Sequence, residues 1–140
     1  MSWYVIVMSE KMQYKFRYDE NLQYMVIHTL GKASVPCVRD ALQKLIEYPD
    51  WNLGCNVLVD CHELSVLHLN TEEIRMISNF VKQHNKNFGI GKWAFVMKHE
   101  KDYGMARIWQ AYTEYEVGFK SEIFTSFQEA QDWLKQSSEL

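Results

Sequence analysis

KWAFVMKHEKDYGMARIWQAY, running from Lys92 to Tyr112, decides how this chain folds. Trp93 to Met97 is a short apolar run of the kind that forms a buried strand. Lys98 to Asp102 is a charged loop. A helix is predicted to open at Tyr103 and Gly104, with Met105, Ile108, Trp109 and Tyr112 as its buried stripe. A buried strand leading into a helix is a unit of an alternating α/β chain, and the flanking sequence supplies more of them.

Upstream, Asn56 to Asp60, NVLVD, reads as another buried strand. Leu64, Val66, Leu67 and Leu69 follow as an apolar crossover loop. Asn70 with Glu73 then has the spacing of a capping box, opening a helix with Ile74, Ile77 and Val81 inward. Asn85 to Gly91 is turn-rich. Further back, Gly31, Ser34 and Pro36 mark the start of a helix carrying Val38, Ala41, Leu42 and Leu45 on one face and ending near Tyr48, because Pro49 disfavours helical geometry before it. The N-terminal part is an antiparallel meander. It comprises the apolar run Trp3 to Met8, the alternating run with Met12, Tyr14, Phe16 and Tyr18 on one face, and Leu22 to Leu30. Downstream, a short strand is centred on Ile123 and Phe124. Ser126 and Glu129 repeat the capping spacing before a last helix, with Phe127, Ala130, Trp133 and Leu134 inward. The chain is therefore expected to be α/β: a mixed sheet, antiparallel at its start, then alternating helices and parallel strands joined by right-handed crossovers, with about four helices.

At 140 residues the chain is read as one domain spanning 1–140. A hydrophobic share of 47% with 24% charged residues is that of a folded globular protein rather than a disordered one. The net charge of -3, with no Lys/Arg cluster, disfavours nucleic acid and anionic lipid as partners. Three cysteines, Cys37, Cys55 and Cys61, form no CxxC pair, which suits a reducing compartment, and the cytoplasm is expected. No window is apolar enough to span a membrane, and Trp3 to Met8 is too short for a signal-peptide core.

NVLVD at Asn56–Asp60, WAFVM at Trp93–Met97 followed by YGMARIWQAY, and EIFTSFQEAQDWL from Glu122 to Leu134, taken in this order and spacing, resemble the SpoIIAA-like branch of the STAS superfamily, also labelled STAS/SEC14-like. The resemblance covers the chain from about Val26 onward. It implies a compact α/β domain with a mixed sheet and helices mainly on one face. It also implies a binding or regulatory role in some members. Phosphorylation-switched members carry a Ser at the start of the helix after the strand ending in Asp. Counted from Asp60 without gaps, that position here is Leu69, and only Thr71 offers a hydroxyl at the helix start, so the resemblance does not extend to such a switch.

Cys61, His62 and His68 match no zinc spacing, and neither a metal nor a cofactor is expected. Asp60, His62, Glu63 and Ser65 lack the glycine-flanked elbow that a nucleophile needs, and Asp60 reads as a turn cap. The expected ligand site is the turn where the decisive stretch leaves its strand: Lys98, Tyr103, Gly104 and Arg107, with Asn70 and Thr71 at the neighbouring helix start. Strand ends and helix N-termini are where open α/β sheets bind anions. In the bland reading, Asp102 caps the helix, Gly104 relieves a tight contact and Arg107 makes a surface ion pair. The expected function is a non-enzymatic module for a protein partner or small ligand. A carrier of a small apolar molecule with an anionic head near Gly104 and Arg107 is the alternative, and an enzyme the third. The aromatic meander, including Trp3, Tyr4, Tyr14, Phe16, Tyr18 and Tyr24, suggests a homodimer.

Overall fold

Tyr14, Phe16 and Tyr18 turn inward from β1 (Gln13–Asp19), while Lys15 and Arg17 turn outward, and this alternation sets up a sheet with two different faces. The computed structural model describes residues 11–136; the run Trp3 to Met8, with Trp3 and Tyr4, lies outside them. β1 pairs antiparallel with β2 (Tyr24–Lys32). β3 (Asn56–Ser65), β4 (Lys92–Met97) and β5 (Lys120–Phe124) then add in parallel, in the order β1-β2-β3-β4-β5. The mixed sheet is the one the sequence implies.

The crossovers are α1 (Val35–Ile46) between β2 and β3, α2 (Thr71–Gln83) with the one-turn α3 (Asn85–Phe88) between β3 and β4, and α4 (Glu100–Thr113) between β4 and β5. The last helix is α5 (Phe127–Lys135). Local chemistry fixes three of the helix starts. Ser34 accepts from the Cys37 N–H at 3.3 Å, and Ser126 from the Glu129 N–H at 3.2 Å. Asn70 and Glu73 close a full capping box, with bonds of 2.8 and 3.0 Å. Gly89, with φ +79°, ends α3 where any Cβ would lie 2.0 Å from the Leu53 carbonyl oxygen, so only glycine lets the chain pass.

α1, α2 and α4 cover one face of the sheet over a core that includes Met25, Ile27, Val57, Val59, Trp93 and Ile123. α5 covers the other face through Ala130 and Leu134, against Tyr24, Val26, Leu58, Ala94 and Val96. Period 2 along the strands sends neighbouring residues to opposite layers, which is why Trp93 and Ala94 belong to different cores.

Several boundaries and faces differ from expectation. β3 runs five residues past Asp60 to Ser65, because Glu63, Leu64 and Ser65 continue the parallel ladder with β2. α4 begins at Glu100, three residues before Tyr103. On this helix Ile108 faces outward, 40% exposed, and Asp102, Gln110 and Thr113 face inward. Phe127, at the open first turn of α5, is 39% exposed. The described aromatics of the meander are covered, Tyr14, Phe16 and Tyr18 packing on the α1 side and Tyr24 under α5, so they form no exposed patch.

Candidate functional site

The six residues singled out in the sequence lie at two helix starts beyond the C-terminal ends of β3 and β4. Asn70 is committed to its capping box, and Thr71 is exposed at the first position of α2. Lys98 is exposed just after β4, Tyr103 packs against the core, and Gly104 lies in the first turns of α4 with open space around it. Arg107 is exposed and stands 3.9 Å from Glu122, a surface pair of small energetic weight. Asp102 does not cap α4; the residue before the helix is His99, and the helix start has no side-chain cap. Asp102 is instead buried, and its carboxylate accepts the Val66 N–H at 3.3 Å, tying the loop after β3 to the start of α4. Among the described residues, no side-chain hydrogen bond joins any two of these six residues.

The exposed part of the α5 face carries a polar chain that the sequence does not reveal. Arg17 Nε donates to His28 Nε2 at 3.3 Å, and His28 Nδ1 meets Asp60 Oδ2 at 3.1 Å. Since Nε2 is then the acceptor, Nδ1 carries the proton and donates to Asp60. The other Asp60 oxygen accepts the His62 N–H at 3.0 Å. All of these groups find partners within the chain. No group of three or more His, Cys, Asp or Glu capable of holding a metal exists among the described residues.

An apolar cavity lies elsewhere, between the sheet and the α1/α2/α4 layer. This cavity of about 160 Å³ has an almost wholly apolar lining. Ile27, Val59 and Cys61 form its floor together with Trp93 and Phe95 of β4. Ala41, Ile74, Ile77, Ala106 and Trp109 contribute from the helices. Rings follow one another along it in a row: Phe119 tilted against Trp93 at 5.1 Å, Trp93 stacked with Phe95 at 6.2 Å, and Phe95 edge-on to Trp109 at 5.3 Å between centroids. Burial pushes the Cys61 thiol up to about 12, so it lines the cavity as a neutral, weakly polar group. At about 24 cal/mol per Å³, an empty space of this volume forgoes roughly 4 kcal/mol of packing. Bulky rings and methionines opposite Ala41 and Ala106 were the only sequence trace of it, and core packing explains such a pattern equally well.

The architecture just described, an antiparallel entry followed by parallel strands and crossover helices, is a SpoIIAA-like fold. A protein of the DUF3478 family with a SpoIIAA-like fold, from Shewanella loihica PV-4, superposes with a TM-score of 0.58 at 17% identity, over 88% of this chain and 93% of its own. An anti-sigma factor antagonist from Mycobacterium paratuberculosis superposes with a TM-score of 0.58 at 8% identity, over 91% of this chain and 97% of its own. No family model and no curated protein matches the sequence.

Proposed function

We propose that this chain is a non-catalytic regulatory or binding module whose ligand is a small apolar molecule held between the sheet and the α1/α2/α4 layer. The observation that carries the reading is the cavity of about 160 Å³ with its apolar lining. An apolar cavity of about 150 Å³ takes up a benzene-sized guest and otherwise stays dry. The lining offers no place for an anionic head, so the ligand is uncharged where it lies in the cavity, unlike that of the carrier alternative. The likeness to a protein described as an anti-sigma factor antagonist supports a regulatory rather than a catalytic use of the fold. The three cysteines are free thiols, which supports a cytoplasmic setting.

Thermal unfolding in the presence of toluene, cumene and acetophenone tests the reading. The midpoint should climb with ligand concentration, as a ligand binding only the folded state requires. Ala106→Leu, which fills the cavity from α4, should keep the fold and lose the response. A wild-type midpoint unmoved by all three compounds at millimolar concentration overturns the proposal.

A second reading has a protein partner docking over the strand ends, where Lys98, Tyr103, Gly104, Arg107, Asn70 and Thr71 surround the two helix starts. The missing side-chain cap on α4 favours it, because the first N–H groups of that helix have no side-chain acceptor of their own. Lys98→Ala with Arg107→Ala should abolish capture of such a partner and leave the thermal midpoint in place. Unchanged capture counts against it. A homodimer is a separate proposal, and a monomer by light scattering at high micromolar concentration removes it.

A further inference from the structure

Four rings border the cavity in unbroken succession, and they do not share one plane. Phe119, Trp93 and Phe95 stand on the sheet side, with 33° between the first two and 30° between the second two. Trp109 comes from α4 and meets Phe95 at 62°. Met97, at the end of β4, and Met105 of α4 add two thioether side chains to the same lining. An aromatic ring carries a negative face and a positive edge, so a second ring set against it edge-to-face or offset gains more than its buried area accounts for. A thioether sulfur beside a ring adds a contact of similar kind. A saturated ring has neither face nor edge of this sort and collects burial and dispersion alone. With bordering rings at several inclinations, a flat guest meets at least one of them at a favourable angle.

We infer that the cavity takes an uncharged, single-ring aromatic compound in preference to a saturated hydrocarbon of the same size. This rests on the cavity being the ligand site, and it adds the chemical class of the ligand. The volume of about 160 Å³ sets the limit at one ring. An ionised substituent is excluded because no charged side chain lines the space, and it would enter without compensation.

Benzene and cyclopentane have nearly the same volume and cyclohexane is larger than both, so the three compounds separate ring chemistry from size. Each affinity is measured by calorimetry and referred to that compound's partition between water and hexadecane, which removes the difference in their hydration. On that scale benzene should bind about tenfold more tightly than cyclopentane, the ratio that one or two ring contacts supply. Trp109→Leu keeps the lining apolar and removes the ring on the helix side, and it should cut this ratio several-fold. The wild-type ratio decides by itself if that variant does not fold. In the wild-type ¹H–¹³C spectrum the ring current of bound benzene should shift the methyl signals of Ile27, Val59 and Ile77, which line the cavity. Saturated rings that bind as tightly as benzene on this scale overturn the inference and leave the cavity reading standing. No binding by any of the three, or bound benzene that leaves those methyl signals in place, brings down the cavity reading and the inference with it.

Discussion

The two faces of the sheet are built from the same strands, yet they solve packing differently. On the α5 side, small residues meet: Ala94 and Ala130 have no exposed surface, and the layer between Val26, Leu58, Val96 and Leu134 is closed. On the other side, three helices are held off by Trp93, Phe95, Trp109 and Met105, and the layer retains a cavity of about 160 Å³. Interior packing is normally close to crystal density, so an open layer beside a closed one in the same small core marks where the fold has given up packing energy. The difference teaches that the void is a property of one layer and not of a loosely folded chain.

The sharpest way to break this comparison is to add the same methylenes to both sides. Ala130→Leu forces a larger side chain into the closed layer and should cost about 1–3 kcal/mol of stability, read as a lower urea midpoint with unchanged slope. Ala106→Leu puts the same group into the open layer and should gain about 0.5–2 kcal/mol. Equal losses from both would show that the two faces are alike.

Next in size is Lys92, which holds the C-terminal end of α5 to the sheet. It is buried, its Nζ donates to the Trp133 and Gln136 carbonyls at 3.0 and 2.5 Å, and it sits 5.3 Å over the Trp133 ring. Desolvation, with the charge of Lys120 behind it, lowers its pKa. Lys92→Met keeps the stem and removes the donor, leaving helix-end carbonyls unpaired, and should cost about 1–2 kcal/mol. A variant as stable as the wild type would show that α5 is fixed by its apolar contacts alone.

The open layer has one polar stitch between α2 and α4, Ser78 Oγ to Thr113 Oγ1 at 2.7 Å, both residues fully buried. Thr113 spends its own proton on the Trp109 carbonyl at 2.7 Å, so Ser78 is the donor. Thr113→Val strands that donor and should cost about 1–2 kcal/mol, while Ser78→Ala should cost less than about 1. The double variant should then be no worse than Thr113→Val, and additive losses would refute this assignment of donor and acceptor.

What could be read from the sequence was local. The Asn70/Glu73 capping box, the Ser34 and Ser126 starts and the strand NVLVD are each written within a few residues, and each is where its pattern places it. The α4 stripe was legible only in part, since Gln110 and Thr113 are polar and still buried. Gln110 is satisfied by the Ser121 carbonyl at 2.7 Å and Thr113 by Trp109 one turn back and by Ser78 of α2, and the Ser121 and Ser78 partners lie outside the helix itself. The chain Arg17–His28–Asp60 depends on strand register between segments 32 residues apart. The cavity entered the sequence reading only through the carrier alternative, because it is a mismatch of volumes between layers and the residues around it are individually ordinary core residues. The site expected at Lys98 to Arg107 follows a rule about strand ends that is written locally, whereas the cavity between the layers depends on packing across the whole chain.

Cys61 lets the open layer be watched directly, at the cost of the smallest effect. Its thiol lines the cavity, and burial raises it from an ordinary 9.0 to about 12. In the unfolded chain the thiol ionises near 9.0, while the folded chain keeps it protonated up to about 12. The stability tied to the neutral buried thiol is thus fully present below pH 9.0 and drains away as pH climbs through that window. The gap in unfolding free energy between wild type and Cys61→Ala should be constant below the window and narrow within it, approaching about 1.4 kcal/mol per pH unit. At pH 8 iodoacetamide should label the half-buried Cys37 first and Cys61 only through opening of the fold. A guest in the cavity should slow Cys61 further and leave Cys37 alone. Equal slowing of both thiols would mean that the guest stabilises the whole fold from some other place, and the contrast between the two faces would lose its functional meaning.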